Sequence, residues 1–230
     1  MEILFPKLKP HRLKMLSDIP LERGLGSSSS AIVAGIEIAN FFGELNLSLE
    51  EKLNIANEIE GHPDNIAPAI LGGFIVSGNF DKKVLAMKID FSNISIAVVI
   101  PNWSLSTKKS REVLPKSIPY KEAIKGSSIA NLMLASLFNK DIATAGQMME
   151  QDLWHEQYRL PLVPHLTKIR KKMRECGAYS TCLSGAGPTI IVFYPKANHC
   201  KIEKNLTDIS YLGKISYLDI DLKGSEVSIV

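Results

Sequence analysis

Cysteine is scarce in this chain: Cys176, Cys182 and Cys200 are the only three among 230 residues. An odd number at spacings that match no paired zinc-ligand or disulfide pattern excludes a disulfide scaffold and points to free thiols in a reducing compartment. Long apolar runs are missing too. The longest, such as Ile94 to Ile100, fall far short of the roughly 20 residues a membrane helix needs. The start, Met1-Glu2-Ile3-Leu4-Phe5-Pro6, lacks the basic stretch and small-residue cleavage site of a leader. No membrane partner and a cytoplasmic location are therefore expected. Neither sign of charge dominates, with 27 Lys and Arg against 24 Asp and Glu for a net +3. That balance disfavours a nucleic-acid partner. No internal repeat or low-complexity stretch occurs. What remains is 45% hydrophobic and 22% charged residues, an ordinary globular composition, in a chain long enough for one large or two small domains.

Along the chain, Leu13 to Ser17 reads as a short strand ending at Asp18-Ile19-Pro20, and a glycine-rich turn follows. Apolar residues between Ser30 and Phe42 cover nearly the whole circumference of a helix, so it is expected to run through a core. Ser48 with Glu51 forms a capping box that opens a second helix, which Gly61 ends. After a short helix to Leu71, the runs Phe74 to Ser77, Val84 to Ile89 and Ile94 to Ile100 read as strands of one antiparallel sheet. From Thr107 to about Arg174 the pattern is mostly helical, with a soft boundary after Ile100. Strands near Tyr179 to Leu183, Thr189 to Tyr194, Ile215 to Leu218 and Val227 to Ile229, with a helix over Asn198 to Leu206, complete an α+β layout with helices on one sheet face.

Two glycine turns carry chemistry. Pro20-Leu21-Glu22-Arg23-Gly24-Leu25-Gly26-Ser27-Ser28-Ser29-Ser30 sets two glycines and four hydroxyls between a strand and a helix. Glycines let backbone approach a ligand, and the free N–H groups and dipole of a first helical turn favour phosphate oxygens. The turn is not a Walker A loop, nor a full dinucleotide fingerprint, since Ser29 replaces the third glycine. A serine-rich N-cap is the plainer alternative. The second turn, Leu183-Ser184-Gly185-Ala186-Gly187-Pro188-Thr189, reads by itself as a hairpin loop.

Asn57-Glu58-Ile59-Glu60-Gly61-His62-Pro63-Asp64-Asn65 puts two carboxylates in the last turn of a helix, where the dipole disfavours acids. A divalent cation could compensate, since magnesium takes one or two protein carboxylates plus phosphates and waters. The alternative is that Glu58 or Glu60 points into water while Asp64 and Asn65 cap the next helix. His62 has no neighbouring His or Cys pair that would make it a zinc ligand. Arg111 and Arg159 carry guanidinium groups suited to carboxylate or phosphate, though single arginines are mostly surface residues. Trp154 and His155 read as packing.

Together these pieces resemble the GHMP kinase superfamily of small-molecule kinases. Pro20 to Ser30 is similar to its second motif, Pro-x-x-x-Gly-Leu-Gly-Ser-Ser, and Ser184 to Thr189 to its third. Glu60 to Pro68 followed by Leu71-Gly72-Gly73, and Ser106-Thr107 through Arg111-Glu112-Val113-Leu114-Pro115, resemble the homoserine kinase branch. The resemblance spans nearly the whole chain in order. It implies a two-domain α+β fold, with a ribosomal-protein-S5-like N-terminal domain over residues 1–100 and a ferredoxin-like C-terminal domain over residues 101–230. The family's first motif, a Pro-x-Ser-x-Asn-x-Gly-type stretch with a Gly-Phe-Asp, has no counterpart in the nineteen residues before Pro20. The N-terminal domain is therefore expected to be incomplete, with an exposed apolar patch where its first strands would pair.

The activity implied is transfer of the γ-phosphoryl group of ATP to the side-chain hydroxyl of L-homoserine, in threonine biosynthesis. By position in the motifs, Pro20 to Ser30 and Ser184 to Gly187 would bind the nucleotide, with Ser28 and Glu58 as ligands of Mg2+ and Glu60 as the alternative acid. His62 and Asn65 would face homoserine, and Arg159 would pair its carboxylate. Members of the family are often dimers. The rivals are a superfamily kinase for another small alcohol, and a remnant that binds nucleotide without turnover or needs a partner.

Overall fold

The computed structural model describes residues 10–89, 91 and 94–229; the leader-free reading of Met1 to Pro6 lies outside the described residues. Residues 10–20, 26–89 and 220–229 form one compact unit, and residues 21–25 with the described part of 91–219 form another.

In the first unit, Gly26 turns the chain at φ 75° into α1 (Ser27–Phe42). α2 (Leu49–Glu60) opens with the expected capping box, Ser48 Oγ accepting from Glu51 N and Glu51 accepting from Ser48 N, and ends at Gly61 with φ 87°. α3 (Ile66–Leu71) follows. Val33 and Ile36 of α1, Leu53 and Ala56 of α2 and Ile66, Ala67 and Ile70 of α3 close into one apolar core. α1 is not buried on most sides as its composition suggests. α2 and α3 cover one face, while Ile38 (37% exposed), Phe41 and Phe42 (both 43%) line a groove of about 690 Å³ with residues 225–229. Apolar side chains of α1 are therefore exposed in the first unit.

β1 (Phe74–Phe80) and β2 (Lys83–Ile89) make an antiparallel hairpin, Phe74 opposite Ile89. Its two-residue turn, Asp81-Lys82, takes φ 48° and 68°, the double positive φ that matches strand twist. Two expected strands do not form. Leu13 to Ser17 has no ladder partner among the described residues, and Leu13, Met15 and Leu16 are exposed. The C-terminal segment meets a helix end and a helix side instead of a strand: Gly73 N donates to Asp221 O at 2.6 Å, Ser225 N to Ile70 O at 3.2 Å and Ser225 Oγ to Glu37 Oε1 at 2.7 Å. Val227 and Ile229 beyond it are exposed.

The second unit is a four-stranded sheet of β3 (Ile94–Pro101), β4 (Ser180–Leu183), β5 (Ile190–Pro195) and β6 (Gly213–Leu218), all antiparallel in the order β4-β5-β3-β6. β3 was grouped with the hairpin by its sequence, yet it belongs here, because its continuous apolar run suits a central strand paired on both sides. Between β3 and β4 lie α4 (Thr107–Glu112), α5 (Tyr120–Phe138), α6 (Ile142–Met149), α7 (Glu156–Arg159) and α8 (Leu166–Glu175), and α9 (His199–Thr207) joins β5 to β6. Taking α8 and α9 as the two crossovers, the order is βαββαβ, the expected ferredoxin-like arrangement. Leu166, Ile169 and Met173 of α8 and Ile202 and Leu206 of α9 pack on Ala97, Val99, Ile190, Val192 and Tyr194. No described helix is long and apolar enough to cross a membrane. The three cysteines are free, as expected, and burial pushes the Cys182 thiol up to about 12.

Candidate active site

In the second unit, the first half of the serine-glycine turn packs backbone to backbone against the other glycine turn. Ser184 Oγ donates to Gly24 O at 2.7 Å and Thr189 N to Arg23 O at 3.3 Å. Gly24 sits at φ 71°, and a Cβ there would collide with Ser184 O and lie 2.8 and 2.9 Å from Gly187 N and O. Arg23 is spent on backbone, Nε donating to Pro101 O at 3.0 Å and Nη2 to Asn102 O at 3.3 Å, so its role is to hold the turn. Leu21 is exposed, and Glu22 takes φ 53°. Gly24→Ala is expected to cost about 1–3 kcal/mol through strain and the backbone clash, read by urea unfolding. A variant as stable as the parent would show that the two turns can part.

In the first unit, the second half of the turn opens α1. Ser30 Oγ folds back to Ser27 O at 2.9 Å. Ser28 Oγ donates to Glu60 Oε2 and Ser29 Oγ to Glu60 Oε1, both at 2.9 Å. Two hydroxyls thus answer the acid at the C-terminus of α2, whose last turn holds no basic residue. The acid brought to the serines is Glu60, the alternative, and not Glu58. Glu58 is exposed, because two residues along a helix turn the side chain about 200° away. Asn65 precedes α3 without capping it; its side chain lies against Gly26, with Oδ1 3.6 Å from where a Cβ would stand. His62 Nδ1 is hydrogen-bonded to Asp64 Oδ1. Among the described residues no three His, Cys, Asp or Glu gather as a metal cluster. One carboxylate with two hydroxyls is nonetheless the hard, oxygen-only donor set that suits magnesium completed by phosphate and water.

Arg159, on α7 and 9% exposed, donates from Nε to Ser110 O at 3.2 Å and from Nη1 to Gly185 O at 3.0 Å. Arg111 is exposed. Trp154 and His155 are not the buried packing residues expected: Trp154 lies against Gly126 but is exposed, and the exposed His155 pairs with Asp152 at 3.3 Å. Residues the sequence did not single out complete the surroundings of the second turn. Ser110, fully buried on α4, donates to Ala186 O at 2.7 Å. Glu156 Oε2 accepts from Leu183 N at 3.2 Å and pairs with Arg170, whose Nε donates to Thr181 O at 2.7 Å. Glu150 accepts from Thr181 N at 2.8 Å. These side chains satisfy the outer backbone groups of β4, an edge strand. The only signal for them in sequence is charge on short helices, which usually marks a solvated face.

Comparison with known proteins agrees in both sequence and fold. The family described as GHMP kinases N terminal domain matches residues 1–73, and that described as GHMP kinases C terminal matches residues 133–207. A homoserine kinase of Listeria innocua is 50% identical over 97% of this chain and 78% of its own length. The solved structure of a putative homoserine kinase from Listeria monocytogenes superposes with a TM-score of 0.87 at 46% identity, covering 100% of this chain and 78% of that one. Homoserine kinase from Cytophaga hutchinsonii superposes at 0.80 with 26% identity over 90% of this chain and 69% of that one. With every second residue shared along almost its whole length, and both domain signatures met in order, the chain belongs to the GHMP kinase superfamily, in its homoserine kinase family.

Proposed function

We propose that this chain transfers the γ-phosphoryl group of ATP to the side-chain hydroxyl of L-homoserine, forming O-phospho-L-homoserine and ADP, a step of threonine biosynthesis. The observation that supports it most is local to the first unit: Asn65, from the stretch that resembles homoserine kinases, stands against Gly26 where the phosphate-binding turn enters α1. The amides of Gly24 to Ser29 cradle phosphate oxygens, as a helix N-terminus led by glycines is suited to do. The turn from Ser184 to Gly187 serves the phosphate being transferred. Ser28 and Glu60 hold Mg2+, with Ser29 orienting the same carboxylate. Bound there, the ion neutralises charge on the phosphates. His62 and Asn65 face homoserine, and Arg159 offers its guanidinium to the carboxylate. No strong base is required, since a loose phosphoryl transfer needs positioning and charge neutralisation more than early deprotonation.

The test is coupled ATP turnover by the purified chain with Mg2+ and L-homoserine, with the product identified by mass. One phosphohomoserine per ADP is the expected result. Nucleotide binding with no turnover, or turnover only with another alcohol from a panel of acceptors, overturns the reading.

A further inference from the structure

Two consecutive peptide groups of the second glycine turn are pinned by their carbonyls. Gly185 O accepts from Arg159 Nη1 at 3.0 Å, and Ala186 O accepts from Ser110 Oγ at 2.7 Å. The two donors are themselves linked, since Arg159 Nε donates to Ser110 O at 3.2 Å. Ser110 is fully buried and Arg159 nearly so, so the triangle is built in low dielectric, where an unmade hydrogen bond is costly. The turn needs such anchors, because Gly185 and Gly187 sit at φ 53° and 81°, where glycine leaves the backbone many alternatives.

A trans peptide holds its C=O and N–H antiparallel. Fixing Gly185 O on Arg159 therefore aims the N–H of Ala186 the opposite way. Gly187 N–H is used within the turn, donating to Ser184 O at 2.8 Å, whereas Ala186 N–H has no hydrogen-bond acceptor among the described residues. Arg159 thus sets the direction of the Ala186 N–H itself, and the buried Ser110 hydroxyl fixes the next peptide group, that of Gly187, so the backbone is held on both sides of Ala186. We infer that Ser110 is a positioning residue: with Arg159 it orients the Ala186 N–H as a donor to a phosphate oxygen of the nucleotide. This rests on the proposed ATP-dependent reaction, and adds a residue that acts through the turn without touching the substrate.

The test uses Ser110→Ala, with Ser110→Cys as a second variant that keeps a weak donor. Each is titrated with a non-hydrolysable ATP analogue and Mg2+ while the Ala186 amide is followed by NMR, and kcat and both KM values are measured. In the parent protein the Ala186 resonance moves on titration. In Ser110→Ala that movement shrinks and kcat/KM for ATP falls about tenfold, the scale of one lost buried hydrogen bond, with KM for homoserine unchanged. Ser110→Cys falls between the two. Parent-like affinity and an unchanged Ala186 shift in either folded variant overturn the inference, as does a parent amide that ignores the nucleotide. Should the parent bind nucleotide with the expected shift yet leave homoserine untouched, the acceptor reading fails and the positioning role stands.

Discussion

Glu60→Gln is expected to lower kcat about 100- to 1000-fold, the range seen when one preorganised electrostatic group is removed from a site. The carboxylate accepts from Ser28 and Ser29 on separate oxygens. A glutamine amide has one acceptor oxygen, so one hydroxyl loses its acceptor and the negative charge is lost with it. The apparent Mg2+ requirement rises in step. Glu58→Gln is the control, expected to turn over like the parent, because that side chain is exposed on another face of α2. Steady-state kinetics at several Mg2+ concentrations decide the matter. If Glu58→Gln is the crippled variant and Glu60→Gln the silent one, the metal acid is Glu58.

The largest loss of stability is expected from Glu156→Ala. This residue is 6% exposed, pairs with Arg170 Nη2 at 2.6 and 2.7 Å and accepts from Leu183 N at 3.2 Å. Removing it leaves a guanidinium with Glu150 as its remaining acid, at 3.7 Å, and an edge-strand amide without its acceptor. Breaking a buried pair from one side costs about 3–5 kcal/mol, a large share of the roughly 5–15 kcal/mol that holds a domain together. Urea unfolding should show it, with Arg170→Met in the same chain recovering part of the loss. A loss under about 1 kcal/mol would mean that water replaces the carboxylate at no cost. The turn that leads into the helix carrying Glu156 is held by Asp152, which accepts from the amides of Trp154, His155 and Glu156. Burial would raise its carboxyl, but the His155 ring and the amides outweigh that and hold it at about 2. Its contribution is therefore complete above the ordinary carboxylate range and is lost only as pH falls toward 2.

Much of this molecule was legible in advance wherever the physics is local. Ser48 and Glu51 satisfy each other three residues apart, and Gly61 ends α2 because only the left-handed conformation closes that helix. Both glycine turns were recognisable because their conformations demand glycine whatever surrounds them. Misreadings came from segments whose state depends on a neighbour. Leu13 to Ser17 has the composition of a strand and no described strand to pair with. β3 looks like the third member of a meander and is instead a central strand between β5 and β6.

Composition, the two glycine turns and the stretch around Asn65 by themselves determined the fold class, the family resemblance and the expected phosphoryl chemistry, since each depends on residues adjacent in the chain. Tertiary structure alone decided which acid meets the serines. Glu58 and Glu60 are the same residue type in one helix turn, and only the face that α2 turns toward α1 separates them. It also decided that Ser110 and Arg159, 76 and 26 residues from the carbonyls they hold, aim the second turn. Hydrogen bonds reach only about 3 Å, so a partner that far along the chain exists only once the sheet and its helices have packed.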